Sequence, residues 1–148
     1  MTTEHAHATQ GYDKPLPVVH PDNQPYWDSL KAHHIKMQKC LDCGTLRYPV
    51  SPVCYKCFSW KHEWADVKGT GKLSAWLIVH QTRGDHAWPA DVPFNVALVD
   101  LDDGPRLTTN IVDAAPEDLH PGMPVELVYV DVTPEVTLAR FKPVSGRK

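Results

Sequence analysis

Every cysteine of this 148-residue chain falls in one stretch, CLDCGTLRYPVSPVCYKC, from Cys40 to Cys57. Two C-x-x-C pairs separated by ten residues admit three chemistries: a redox couple, two disulfides or a metal clamp. A thioredoxin-like couple needs one C-x-x-C opening a helix in a βαβ unit, whereas here there are two pairs on Gly- and Pro-containing knuckles. The i, i+3 spacing lets a tight turn aim both sulfurs at one point. Gly44 follows the first pair, where glycine adopts a positive φ cheaply. Two such turns supply the tetrahedral thiolate set that zinc prefers. The pattern therefore assigns Cys40, Cys43, Cys54 and Cys57 to one metal ion, zinc or iron in the same cage. Four thiolates leave no position open to water or substrate, which marks a structural centre rather than a catalytic one. Lys39, Arg47, Lys56 and Lys61 lie close enough in sequence to offset the negative charge of the cage.

With the thiols committed to metal, little nucleophilic chemistry remains. The sequence has no G-x-S-x-G, no phosphate-binding loop and no HExxH. Its best polar cluster is HQTRGDHAW, in which His80 and His86 have the chemistry for acid–base work, while a solvated loop is the plainer reading. His33 and His34 precede the ribbon and are spare once four cysteines fill the cage.

The elements that position the cage follow from composition. Residues 1–20 are polar and read as a flexible tail, residues 21–67 as a helix plus zinc ribbon, and residues 68–148 as a barrel. PDNQPYWDSLKAHH predicts a short helix, capped by Asp22 or Asn23 with Pro25 in its first turn, and with Tyr26, Trp27 and Leu30 on one side. IKMQKC and LRYPV supply ribbon strands. Beyond Lys68 the pattern is all β: GTGKLSAWLIVHQT, opened by two glycines that suggest a bend or bulge, the hairpin PFNVALVDL–DDGP–RLTTNIVD, a helical turn or loop in APEDLHPGMP, then VELVYVDV and LARFKPV. Five strands with a short helical connection between the third and fourth give an OB-fold barrel. The fold class is thus mainly β: a short N-terminal helix, a zinc ribbon and a five-stranded OB-fold barrel.

Charge then limits the partners. Residues 69–148 carry seven Lys/Arg against eleven Asp/Glu, and an acidic barrel lacks the cations that phosphate binding requires. The second and third strands offer Phe94 alone as a stacking ring, so no nucleic acid is expected. No apolar run is long enough to span a membrane, and the N-terminus has no signal-peptide pattern, so the expected location is the cytoplasm.

The order QPYWDSL, KCLDCGTLRYPVSPVCYKC, GTGKLSAWLIVHQ, VPFNVALVDLDDGPRLTTNIV, LHPGMPVELVYV and FKPV covers most of the chain. It resembles the acyl-CoA-associated OB-fold family with an N-terminal rubredoxin-like zinc ribbon. The spacer RYPVSPVC departs from the family's habit of two prolines and an arginine before the second pair, and leaves the four ligands intact. The resemblance implies a non-catalytic accessory subunit of a thiolase-like complex, which shapes a coenzyme A/acyl tunnel while the partner makes or cleaves a C–C bond or transfers an acyl group. It implies a coenzyme A ester shared with that partner, and in some cases an acyl-CoA hydratase as partner. The competing classes are a stand-alone acyl-CoA or nucleic-acid-binding OB module and a hydrolase or hydratase using the His80–His86 loop. Trp60, Trp64, Trp76 and Thr108 to Asn110 are the expected tunnel wall, and Tyr26, Trp27 and Trp88 are further rings for an interface or the core.

Overall fold

The structure is a computed structural model that describes residues 11–83 and 88–145. The first helix, α1 (Gln24–Lys31), carries Pro25 in its first turn, where a missing N–H leaves no bond unmade. Asn23 holds the N-cap position but does not cap. Its Oδ1 accepts from the His20 amide at 2.9 Å and its Nδ2 donates to the Val18 carbonyl at 3.1 Å, so it ties down the incoming chain instead. Tyr26 and Leu30, four residues apart, are buried in the main core, and Trp27 packs beside them.

The ribbon sheet has three antiparallel strands, β1 (Lys36–Cys40), β2 (Leu46–Arg47) and β3 (His62–Asp66), in the order β2-β1-β3. The barrel has five: β4 (Thr70–Val79), β5 (Phe94–Leu101), β6 (Arg106–Thr109), β7 (Pro124–Asp131) and β8 (Thr137–Pro143), in the order β6-β5-β4-β7-β8. A 3-10 turn at Pro116–Asp118 fills the connection between β6 and β7. This is the OB order anticipated, in a strongly curled antiparallel sheet. The seam between β6 and β8 is closed by a short parallel bridge from Ile111 to Phe141, with the Val112 amide on the Phe141 carbonyl at 2.7 Å and the Phe141 amide on the Asn110 carbonyl at 3.1 Å.

The glycines of GTG act differently from expectation. The bulge in β4 lies at Ser74, between Leu73 and Ala75, and Arg106 pins it by donating to Ser74 Oγ at 3.1 Å while pairing with Asp100. Gly69 takes a φ of +72°, and Gly71 lets β4 lie against β5 at the Asp100 carbonyl.

One core joins the parts. Tyr26, Leu30, Ile35 and Met37 from the helix and ribbon share a buried cluster with Leu73, Val99, Leu107, Val125 and Phe141 of the barrel. Polar ties reinforce the junction. Tyr129 Oη accepts from the Ile35 amide at 2.9 Å, and the His33 ring stacks on Tyr129 at 5.0 Å between centroids. His33 Nε2 meets Asp131 at 2.9 Å and His34 Nε2 meets Asp66 at 2.8 Å. The two histidines that the cage leaves spare thus brace the ribbon against the barrel and the third strand. Tyr129→Phe should strand the buried Ile35 amide and cost about 1–2 kcal/mol. Urea unfolding should show a lower midpoint at unchanged slope, because the denatured chain is unaltered.

Residues 11–14 lie along the barrel. Tyr12 packs on the small cluster of Val130, Val132 and Val136, and Lys14 Nζ pairs with Asp91 at 2.8 Å. His5 and His7 of the tail, and Asp85 and His86 of the loop, lie outside the described residues.

Candidate metal centre and exposed knuckle face

The two C-x-x-C turns are built alike. The Gly44 amide bonds the Cys40 carbonyl and the Phe58 amide bonds the Cys54 carbonyl, each at 2.9 Å. The Cys40 and Cys54 amides close the same loops on the Thr45 and Ser59 carbonyls, also at 2.9 Å. The residue after each pair is left-handed, Gly44 at φ +76° and Phe58 at φ +62°. The repeat places all four Sγ atoms within 4.8 Å of one another, with Cys40 and Cys57 at 3.5 Å and Cys43 and Cys54 at 3.7 Å. A disulfide needs about 2.05 Å, so no S–S bond is present. A tetrahedron with metal–sulfur bonds of about 2.3 Å has edges of about 3.8 Å, so the donor set fits a thiophilic tetrahedral ion such as zinc.

Electrostatics make the same demand. The Cys57 amide, followed by the Lys56 amide and neighbouring sulfurs, pulls the Cys54 thiol down to about 6 against the opposition of burial. The Cys43 amide lowers Cys40 likewise. At Cys57 the Ser59 amide pulls downward, but burial and the three other sulfurs outweigh it and push the thiol up to about 12. Without a cation the last proton is held because adjacent thiolates repel; a metal ion lets all four ionise.

Spacer residues 48–53 are clamped from the sheet. The buried Gln38 Oε1 accepts from Arg47 Nε at 3.2 Å and from the Ser51 amide at 2.8 Å, while Arg47 Nε also reaches the Ser51 carbonyl at 3.2 Å. Arg47, one of the four cations near the cage in sequence, is therefore a buried brace of the spacer that leads to Cys54.

Outside the cage the knuckles present Leu41, Tyr55, Phe58 and Trp60, each 56–74% exposed. Of the expected tunnel wall, Trp64 and Trp76 pack against the main core, and Trp60 stands in this face. Thr108 to Asn110 line a groove of about 170 Å³ with Tyr26, Trp27 and Tyr48. Trp88 tilts on Phe94 at 5.6 Å in another cleft. Tyr55 and Phe58 were not singled out from the sequence. The available signal was Phe58 itself, which stands where the first knuckle has glycine. His80 and Arg83 border a separate surface recess.

A four-cysteine ribbon fused through a common core to a curled OB sheet defines a zinc-ribbon/OB scaffold. Residues 27–63 match the ChsH2 rubredoxin-like zinc ribbon domain, and residues 64–130 match the ChsH2 C-terminal OB-fold domain. The chain belongs to this ChsH2/DUF35 family. It is 36% identical over 131 residues to a probable enoyl-CoA hydratase alpha subunit of Thermomonospora curvata, covering 88% of this chain and 40% of that protein. It is 36% identical over 129 residues to a DUF35 domain-containing scaffold protein of Methanocaldococcus jannaschii, covering 81% of this chain and 89% of that one. It thus spans well under half of the hydratase subunit and most of the scaffold protein. Among solved structures it is similar to a chain of the Ltp2-ChsH2(DUF35) aldolase, with a TM-score of 0.77 and 36% identity over 86% of this chain and 98% of that chain. A DUF35 protein of unknown function from Sulfolobus solfataricus, 17% identical with a TM-score of 0.60 over 96% of this chain and 94% of that one, shares the fold. Among the described residues no helix is long and apolar enough to cross a membrane.

Proposed function

We propose that the chain is a non-catalytic accessory subunit of an acyl-CoA-processing complex, and that Cys40, Cys43, Cys54 and Cys57 hold one structural zinc ion. The partner in this reading is a thiolase-like subunit that makes or cleaves a C–C bond or transfers an acyl group. The coenzyme A ester would be shared between the two chains. The groove of Tyr26, Trp27, Tyr48 and Thr108 to Asn110 suits a slim, uncharged pantetheine arm. The aldolase named for the similar structure supports the C–C bond reading. The alpha subunits named as hydratases, that of Thermomonospora curvata and a 3-oxo-4,17-pregnadiene-20-carboxyl-CoA hydratase alpha subunit of Mycobacterium tuberculosis, favour a hydratase as the second reading.

The observation that carries the subunit reading is the knuckle face. Four large apolar side chains on or just beside the two knuckles stand 56–74% exposed, and exposed apolar and aromatic side chains in such number favour a protein interface. Phe58 holds a left-handed conformation that costs a bulky residue about 1 kcal/mol or more, so its presence there argues for use rather than for stability. Phe58→Gly should therefore leave the melting temperature of the isolated chain unchanged or raised, while weakening the partner at least about tenfold, with Trp60→Ala additive to it. Co-expression, affinity capture and titration calorimetry read this out. Partner affinity unchanged in the double variant would remove the knuckles from the interface, and turnover by the isolated chain would end the accessory reading.

A further inference from the structure

The seam of the barrel carries a cleft of about 550 Å³, bordered by residues 11–14, by Trp88 and Phe94, and by Val130, Val132 and Arg140. Its walls mix apolar side chains with polar ones, and Trp88 and Phe94 form a tilted ring pair among the former. Its charges are unequally matched. Lys14 Nζ is neutralised by Asp91 at 2.8 Å and lies 5.5 Å above the Trp88 ring, and Asp13 stands exposed at the rim. Arg140 projects from β8 opposite Val128, and its Nε is buried with no hydrogen-bond partner among the described residues. The side chain makes no ion pair there either. Of the nearby amides, Asn95 bonds Ile111 through both ends, and Asn110 Nδ2 donates to the Asn95 carbonyl.

A buried guanidinium nitrogen without an acceptor is a standing cost to the fold. A ligand acceptor placed there would remove that cost. We propose that this cleft binds a small organic carboxylate, whose carboxylate meets the Arg140 guanidinium and whose apolar body lies between Trp88/Phe94 and Val130/Val132. A planar guanidinium matches a carboxylate geometrically, and a charge-assisted bond inside a partly apolar cleft is stronger than its exposed counterpart. The volume is in the range of small-molecule sites. The site lies apart from the knuckle face, so it stands or falls independently of the partner reading.

The test uses the full chain with naphthoate and its isosteric amide, naphthamide, as probes. Naphthoate should raise the melting temperature and bind roughly tenfold more tightly than naphthamide by calorimetry. Arg140→Met should abolish that preference while leaving the melting temperature of the ligand-free chain unchanged or higher, since a buried guanidinium nitrogen without a partner has been removed. Arg140→Lys, which keeps the charge but loses the fork, should retain part of the preference. Equal binding of acid and amide overturns the proposal, as does displacement of naphthoate by equimolar inorganic phosphate. A lowered melting temperature in ligand-free Arg140→Met also overturns it, because the arginine would then be structural.

Discussion

Cys43→Ser should yield a chain with well under one equivalent of zinc and a ribbon that no longer folds. The cage sulfurs come in two pairs from two like-built turns, and the segment they close begins at the end of β1, contains β2 and leads on to β3. Serine lacks the soft thiolate that completes the tetrahedron. The loss would not stay local: Ile35 and Met37 at the base of the ribbon belong to the same core as Leu73, Val99 and Phe141. We expect elemental analysis to find about one equivalent of zinc in the wild type, and the variant to bind a hydrophobic dye and aggregate. Treatment of the wild type with a strong chelator should give the same state, and added zinc should reverse it. A Cys43→Ser chain that keeps its zinc and its melting temperature would refute the assignment.

Gly71→Ala should be nearly as damaging, for a reason unrelated to metal. A Cβ at this position would sit 2.4 Å from the Asp100 carbonyl oxygen and 3.0 Å from Val99 Cγ1. The obstacle is backbone of the paired strand, which cannot swing aside. The central pair β4–β5 must separate or slip, and the buried Leu73 and Val99 go with it. A loss of about 2–4 kcal/mol is expected, a large fraction of a domain's stability. Lys72→Ala, on the exposed face of the same strand, should stay within about 0.5 kcal/mol of wild type. Chemical denaturation of the two variants side by side checks this, and equal midpoints would show that the strands tolerate the extra carbon.

Much of this architecture is written in local signals. C-x-x-C turns and alternating strands announce themselves within a few residues, which is why the cysteine cluster, the first two ribbon strands and the five-strand order are legible in the sequence, whereas β3 (His62–Asp66), which pairs with β1 across the whole knuckle segment, is not. What escapes is what depends on distant partners. Asn23 has the chemistry of a helix cap, and only the fold shows it bonding Val18 and His20 instead. Trp60 and Trp64 look alike in the sequence, yet one is 72% exposed and the other packs on the core. Arg140 reads as an ordinary outward residue of a strand, and its unpaired nitrogen exists because segments around residues 12, 90, 110 and 130 converge on it. The bulge at Ser74 has no sequence mark, whereas the neighbouring glycines, which do, serve a turn and a close approach.

The common core also bears on how such a chain is inherited. Tyr26, Leu30, Ile35 and Met37 complete a surface that Leu107, Val125 and Phe141 leave open, so neither half presents a finished exterior alone. A recombination breakpoint near residue 67 would pair one lineage's plug with another's socket, and steric mismatch would be selected against. Ribbon and barrel should therefore descend together, transplanted into larger polypeptides as one cassette rather than shuffled as two.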